Sequence, residues 1–197
     1  MTEQAARESA RSPGVESLAK ELRRVDGGIR FRRTLLQTLF ILVIVAAVAV
    51  LVATLIFPVL RIYGSSMAPT LREGEIVFSV KVSEARRGEL VAFYYGNKVL
   101  IKRCIGVPGD LIDLDEAGTV FVNGEALAEP YLSDKALGEC DIELPFQVPD
   151  GRFFVMGDQR ATSIDSRNTL VGCIASEQLI GRITLRIWPF GRAGSIR

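Results

Sequence analysis

Near its N-terminus the chain carries the uncharged run LLQTLFILVIVAAVAVLVATLIF, from Leu35 to Phe57. Only Gln37, Thr38 and Thr54 interrupt its apolar composition. At a rise of about 1.5 Å per residue, a helix of this length reaches roughly 34 Å, which is enough to cross a bilayer. The run therefore predicts one transmembrane helix.

A cleaved secretory signal peptide is the alternative, because such a peptide also places basic residues before an apolar core. The run is longer than the apolar core of a signal peptide. In addition, a serine-containing motif begins only a few residues after it, and cleavage there would leave that motif at a new terminus. An uncleaved membrane anchor is the favoured interpretation.

The residues on either side of the run predict its orientation. Eight Lys and Arg residues precede it, with Arg30, Arg32 and Arg33 directly before it, whereas Arg61 and Arg72 are the basic residues that follow nearby. Basic residues concentrate on the cytoplasmic side of membrane helices. We therefore expect the N-terminus in the cytoplasm and the rest of the chain outside.

Three parts follow from this orientation. We expect a cytoplasmic segment at residues 1–34, a transmembrane helix at residues 35–57 and an extracytoplasmic domain at residues 58–197. The first part contains a helix-compatible stretch from Glu16 to Arg24, and Gly27-Gly28 predicts a break after it.

The composition excludes several kinds of site. The 24 basic and 23 acidic residues give a formal charge of +1, so nothing indicates nucleic acid as a partner. There is no histidine, which excludes a Ser-His-Asp triad and a His-based zinc site. Cys104, Cys140 and Cys173 lack CxxC spacing, so we expect no metal and no cofactor. A bridge between Cys140 and Cys173 is left open, with free thiols favoured.

Beyond residue 58 the pattern is that of β-structure. Short apolar or alternating runs are separated by turn signals such as Pro108-Gly109 and Asn123-Gly124. The pattern predicts a mainly β domain, built as an antiparallel sheet or a barrel-like fold, and only Ala175–Leu179 indicates a helical turn. The predicted strands are Glu75–Val82, Glu89–Tyr95, Val99–Val107, Leu111–Leu114, Thr119–Val122, Arg152–Met156 and Ile180–Trp188.

The stretch LRIYGSSMAPTL, from Leu60 to Leu71, contains a candidate nucleophile, Ser66. Without histidine the serine needs another base, and a lysine can serve only if it is substantially neutral at the working pH. Lys102 is the best candidate, because it lies in the apolar run VLIKRCIGV, where burial disfavours the ammonium form and lowers the pKa. An ordinary solvent-facing strand lysine is the alternative, and spacing alone does not decide between the two.

Four segments resemble, in kind and order, the sequence boxes of bacterial type I signal peptidases. With the preceding membrane span, this resemblance covers nearly everything from Leu35 onward. One such box alone is weak, but four in order behind a single transmembrane helix make a specific match. The segments are GSSMAPTL at Gly64–Leu71, RGELVAF at Arg87–Phe93, IKRCIGVPGD at Ile101–Asp110 and GDQRATSIDSR at Gly157–Arg167.

The resemblance implies a membrane-anchored serine endopeptidase that removes N-terminal signal peptides from exported preproteins through an acyl-enzyme. It implies a Ser-Lys dyad, with Ser66 as the nucleophile and Lys102 as the general base. Ser163 matches the serine that holds the lysine, and Asp165 and Arg167 match positions that support the site. The neighbouring serine, Ser65, ranks below Ser66 because the family's nucleophile directly precedes the methionine.

The resemblance also assigns the surroundings of the nucleophile. Gly64 stands where some members carry a serine whose hydroxyl binds the oxyanion, so the second oxyanion donor is left open. Ile62, Met67, Leu71 and Ile101 match positions that line pockets for small side chains, which fits cleavage after an A-x-A-like sequence. A plain core position is the alternative, most strongly for Leu71.

The partners implied are the signal peptides of exported preproteins and the lipid bilayer, in the plasma membrane and near the export translocon. Two alternatives are kept. One is a dedicated Ser-Lys peptidase that processes a single partner. The other is a non-catalytic membrane-anchored assembly factor that only binds in the groove, and the presence of both Ser66 and Lys102 disfavours it.

Overall fold

The computed structural model describes residues 13–56 and 58–196. The chain divides into two compact units, one ending at Ala53 and the other beginning at Thr54. The expected division at residues 34 and 57 stays a prediction, and Phe57 lies outside the described residues.

A long helix, α1, runs from Pro13 to Ile56. It continues through Gly27 and Gly28, so the predicted break at this pair is wrong. A glycine inside a helix costs only about 1 kcal/mol relative to alanine, which weakens a helix without ending it. Among the described residues, Phe31–Ala53 is the stretch long and apolar enough to cross a membrane, and none of it is buried within the protein.

Thr38 is a polar residue inside this apolar stretch. Its hydroxyl donates a hydrogen bond of 2.9 Å to the carbonyl of Thr34, one turn earlier in α1. A hydroxyl paired in this way does not need water, so Thr38 is compatible with a membrane environment.

The described residues of the second unit form twelve strands, and all of the pairings given for them are antiparallel. This confirms the prediction of a mainly β fold after one N-terminal apolar helix. The strands are β1 (Val59–Arg61), β2 (Ile76–Val80), β3 (Leu90–Tyr95), β4 (Lys98–Gly106), β5 (Leu111–Leu114), β6 (Val120–Val122), β7 (Glu125–Ala126), β8 (Phe146–Gln147), β9 (Arg152–Met156), β10 (Ile174–Ala175), β11 (Leu179–Trp188) and β12 (Gly194–Ser195).

The strands form two sheets. The larger has the order β1-β2-β11-β3-β4-β9-β10, with β12 paired to β11, and the smaller has the order β7-β6-β5-β8. Each predicted strand is present with ends that agree to within two residues. The predicted helical turn is a 3-10 helix at Ser176–Gln178, and a second one, at Phe190–Arg192, has no counterpart in the predictions.

One hydrophobic cluster joins the loop that contains Ser66, between β1 and β2, to the large sheet. It packs Ile62, Met67 and Leu71 against residues of β2, β3 and β11, namely Val77, Leu90, Ala92 and Ile183. Burying each large apolar side chain is worth roughly 1.5–3 kcal/mol. The segment that contains Ser66 is therefore anchored by its own apolar residues on both sides of this serine.

All three cysteines are free. Cys104 and Cys173 are buried, and burial raises the pKa of the Cys104 thiol to about 12 and that of Cys173 to about 11. Both thiols are therefore protonated and unreactive at neutral pH. The bridge between Cys140 and Cys173, which the sequence disfavours, is not formed.

Candidate active site

Ser66 lies in the long loop between β1 and β2. The ends of this loop are joined by two backbone hydrogen bonds, from the Ile62 N–H to the Glu75 carbonyl at 2.8 Å and from the Gly74 N–H to the Ile62 carbonyl at 2.9 Å. Ser66 is half-buried, whereas Ser65 is exposed to solvent. Gly64 has φ = 79°, in the left-handed region that glycine adopts without strain.

The loop that follows β9 holds the backbone of Ser66. The Gln159 N–H donates a hydrogen bond of 3.0 Å to the Ser66 carbonyl. Gly157, in the same loop, approaches so closely that a Cβ there would lie 2.6 Å from the Ser66 carbonyl oxygen and 2.2 Å from Ser163 Oγ. The fold therefore brings the first and the last of the four motif segments together at Ser66.

Lys102 lies on β4 with only 3% of its surface exposed. Its Nζ donates a hydrogen bond of 2.8 Å to Ser163 Oγ, which is also buried. Burial lowers the pKa of Lys102, and the charge of Arg167 adds to this effect, while Asp165 and Asp158 oppose it. The alternative of a solvent-facing lysine is thus wrong for this strand.

Ser66 and Lys102 both form hydrogen bonds with the loop after β9. Ser66 bonds with Gln159, and Lys102 bonds with Ser163. Within the described part of the chain, no hydrogen bond joins Lys102 Nζ to Ser66 Oγ directly. Catalytic hydrogen bonds are often long before substrate binds and tighten only in the substrate complex. One loop thus holds both the backbone of Ser66 and the amine of Lys102.

Asp165 and Arg167 form a completely buried ion pair in this loop. Arg167 donates from Nε to Oδ1 at 2.9 Å and from Nη2 to Oδ2 at 2.8 Å, and the Gly157 N–H donates to Oδ2 at 2.9 Å. Burial alone raises the pKa of Asp165, but the hydrogen bonds and charge of Arg167 and the Gly157 N–H outweigh it, so the pKa is lowered. Asp165 is therefore a carboxylate that fixes the backbone at Gly157.

A second buried ion pair joins β4 to the same loop. Arg103 donates from Nε to Asp158 Oδ1 at 2.9 Å and from Nη2 to Oδ2 at 2.8 Å. The Thr70 hydroxyl, from the nucleophile loop, donates to Asp158 Oδ2 at 2.5 Å. Asp158 thus connects the strand of the lysine to the loop of the serine.

The predicted substrate positions lie around a cavity of about 490 Å³. Residues 59–64 and residues 98–101 line it together with Ser66 and Met67, so Ile62, Met67, Ile101 and Gly64 all contact it. Leu71 does not line it and is fully buried in the hydrophobic cluster. A larger cavity, of about 660 Å³, is lined by other residues, among them Glu84, Val107 and Phe153, and contains none of the predicted site residues.

Two strand edges border the cavity that contains Ser66. β1 is the terminal strand of the large sheet. β4 pairs with β9 only from Arg103 to Gly106, which leaves residues 98–102 without a partner on that side among the described strands. An extended peptide can pair with such edges.

Some members of the site could not be found as functional residues in the sequence. Gly157 and Thr70 lie inside the motif segments, but only the fold reveals the close approach of Gly157 and the bond from Thr70 to Asp158. Among the described residues there is no group of three or more His, Cys, Asp or Glu that could hold a metal ion.

Comparison with known proteins finds similarity to signal peptidases. The family model "Signal peptidase, peptidase S26" matches residues 34–188. Signal peptidase I of Bacillus licheniformis is 34% identical over 172 residues, covering 81% of this chain and 91% of that protein. Signal peptidase I T of Bacillus subtilis is 36% identical over 162 residues, covering 76% and 83%. A crystal structure of a signal peptidase I from Enterococcus faecalis is 27% identical, covers 51% of this chain and 97% of that one, and has a TM-score of 0.42.

Proposed function

The chain belongs to the signal peptidase family, peptidase S26, and we propose that it cleaves its substrates with a Ser-Lys dyad of Ser66 and Lys102. As a member of this family it is a membrane-anchored serine peptidase that removes signal peptides from preproteins, with the apolar part of α1 as the anchor. The observation that carries the dyad is the 2.8 Å hydrogen bond from buried Lys102 to Ser163, in the loop that also binds the Ser66 carbonyl.

The chemistry is acyl transfer in two steps. Neutral Lys102 takes the proton of the Ser66 hydroxyl as Oγ attacks the scissile carbonyl carbon. Lys102 then gives this proton to the departing amine, and the acyl group stays on Ser66 as an ester. Water, deprotonated by Lys102, attacks the ester, and the proton returns to Ser66 Oγ as the acid product leaves.

The lowered pKa of Lys102 suits this role, because a lysine of ordinary pKa is protonated near neutral pH and cannot accept a proton. The depression results first from burial, which removes the water that would stabilise the ammonium group. The hydrogen bond to Ser163 directs the amine. The site thus uses desolvation where other serine peptidases use a histidine.

The oxyanion formed during attack needs hydrogen-bond donors. The backbone N–H of Ser66 is the first, and the loss of one such donor typically costs about 100- to 1000-fold in rate. Gly64 has no hydroxyl, so the second donor is a backbone N–H or a bound water. A Cβ at Gly64 would meet no atom within 4 Å, so there is room beside it for substrate or water.

The substrate is an extended peptide that pairs with the edges of β1 and β4 across the cavity. Its backbone hydrogen bonds would supply affinity, and alternate side chains would enter the apolar space near Ile62, Met67 and Ile101. This favours small side chains before the cleaved bond, as in A-x-A-like sequences. Leu71 is fully buried and does not line this space, but it packs in the same hydrophobic cluster as Ile62 and Met67.

The proposed topology places the N-terminus in the cytoplasm and residues 58–197 outside, near the export translocon. The basic residues before the membrane span support this orientation. Substrate and enzyme are then held in the same membrane, which raises their effective concentration without further contacts.

The test is cleavage of a preprotein by the full chain in detergent. Ser66→Ala and Lys102→Ala are each expected to abolish cleavage while the fold is unchanged by circular dichroism. Ser65→Ala and Lys81→Ala, which replace exposed residues of the same types, are the matched controls and should cleave normally. Full activity of either dyad variant contradicts the proposal, and failure to cut a panel of unrelated signal peptides would indicate a dedicated peptidase instead.

A further inference from the structure

A third buried ion pair lies behind the candidate dyad, and the mechanism makes no use of it. Arg160 and Glu129 have side chains with 1% and 0% of their surface exposed. Arg160 donates from Nη1 to Glu129 Oε2 at 3.1 Å and from Nη2 to Oε1. Glu129 lies in the irregular segment between β7 and β8, outside the four motif segments.

Arg160 belongs to the loop that supports both members of the dyad. Its Nε donates a hydrogen bond of 3.1 Å to the Gly157 carbonyl, and its own carbonyl accepts one of 3.0 Å from Arg167. Gln159, directly before it, binds the Ser66 carbonyl, and Ser163, three residues later, accepts from Lys102. The Arg160 guanidinium is therefore hydrogen-bonded within the same loop that contacts Ser66 and Lys102.

Tyr131, in the same irregular segment as Glu129, contacts Arg103 of β4. Its hydroxyl donates to Glu129 Oε1 at 2.8 Å, and its ring lies 3.7 Å below the guanidinium of Arg103, which binds Asp158. Burial and the charge of Glu129 raise the pKa of Tyr131, so its hydroxyl stays a neutral donor. Glu129 therefore contacts Arg160 of the loop itself. Tyr131 contacts Arg103, the residue of β4 that binds the loop through Asp158.

We propose that Glu129 is a positioning residue for catalysis, because its carboxylate fixes Arg160 and thereby the loop that presents Ser163 to Lys102 and Gln159 to Ser66. A buried guanidinium that loses its counter-charge has to find water or another acceptor, so the loop would shift with it. A misplacement of about 1 Å at an active site can cost on the order of 100-fold in rate. The proposal rests on the proposed dyad.

The test compares the full-length parent with Glu129→Gln in detergent, using steady-state cleavage of a preprotein and a thermal melt of each protein. Glu129→Gln keeps the size of the side chain and removes its charge. We expect kcat to fall about 10- to 100-fold while KM changes by less than about 2-fold. The half-maximal pH of kcat should also move to lower values, because the uncompensated Arg160 cation disfavours protonated Lys102.

The matched control is Glu89→Gln, which removes the carboxylate partner of Arg182 in a more exposed pair that does not involve the loop. It is expected to retain the kcat and the pH profile of the parent. A merely structural role for Glu129 would lower the melting temperature and the amount of active enzyme without moving the half-maximal pH.

The outcomes separate this proposal from the dyad itself. If Ser66→Ala is inactive but Glu129→Gln keeps kcat within about 2-fold, or Glu89→Gln loses as much, the positioning role is overturned and the dyad stands. If Ser66→Ala is active, the dyad is wrong and this role falls with it. If Glu129→Gln does not fold, Tyr131→Phe decides: a kcat loss of about 3- to 10-fold, the scale of one hydrogen bond, supports the role, and an unchanged kcat overturns it.

Discussion

Lys102 Nζ donates a hydrogen bond to Ser163 Oγ over 2.8 Å, and both side chains are almost completely buried. The bond joins β4 to the loop after β9 through two residues that are 61 positions apart in the chain. A hydrogen bond to one fixed acceptor restricts the orientation of an amine. Ser163 therefore determines where the lone pair of the neutral Lys102 amine can point. The orientation of the Lys102 amine therefore depends on the Ser163 hydroxyl.

Ser163→Ala is expected to lower kcat about 10- to 100-fold with a smaller change in KM, because Lys102 remains buried but loses its orientation. The loss of an acceptor for the ammonium group should also move the half-maximal pH of kcat downward. Steady-state kinetics across pH provide the measurement. Ser163→Thr, which keeps a hydroxyl, is the control, and parent-like kcat in Ser163→Ala would argue against an orienting bond.

The cleavage rate is expected to rise with pH. In the proposed mechanism Lys102 acts as a neutral amine, and burial lowers its pKa below the ordinary lysine value of about 10.4. Below the lowered pKa the group is protonated and inactive, and above it the rate reaches a plateau. The pH profile of kcat measures this limb, and a rate that falls as pH rises through it would contradict Lys102 as the base.

Lys102→Met is expected to stabilise the folded protein while it removes activity. The pKa of Lys102 is lower in the folded than in the unfolded state, so burying the ammonium costs stability. The cost is full below the folded-state pKa and disappears as pH rises to the unfolded value near 10.4. We expect a gain of about 0.5–2 kcal/mol in the free energy of unfolding at neutral pH, the usual scale of a stabilising substitution, measured by urea unfolding in detergent. A less stable methionine variant would contradict the cost of burial.

Gly157→Ala is expected to abolish cleavage, with a loss of about 100-fold or more in kcat. The added Cβ would lie 2.2 Å from Ser163 Oγ and 2.6 Å from the Ser66 carbonyl oxygen, so at least one of the two must move. Gly151→Ala is a control at a loop glycine where a Cβ meets nothing within 4 Å, although its φ of 69° adds some strain. Cleavage by Gly157→Ala at the parent rate would mean that the loop adapts.

Much of the fold was predictable because its long elements repeat a pattern. β5 and β9 have the predicted ends, since a short and mainly apolar run bounded by turn residues indicates a strand of four or more residues. The two-residue strands β7, β8, β10 and β12 carry no period, so only the tertiary structure defines them. The helix α1 continues through Gly27-Gly28, although two adjacent glycines predict a break. There the helical sequence on both sides outweighs the effect of the glycines.

The site was predictable only where a motif carries it. Ser66, Lys102 and Ser163 follow from the resemblance, and the structure brings them to one loop. Glu129 lies outside every motif segment, and a glutamate in an irregular segment is ordinarily exposed to solvent. Its burial depends on Arg160, 31 residues away, and no local pattern predicts such a partner.

The three free thiols have a practical consequence for handling the enzyme. Because no covalent cross-link contributes to the second unit, its folding should be indifferent to the redox potential, and reducing agents such as dithiothreitol should leave it intact. Cys104 and Cys173 are buried, whereas Cys140 is partly exposed. A maleimide fluorophore should therefore attach at Cys140 alone and provide a site-specific reporter in the unmodified chain.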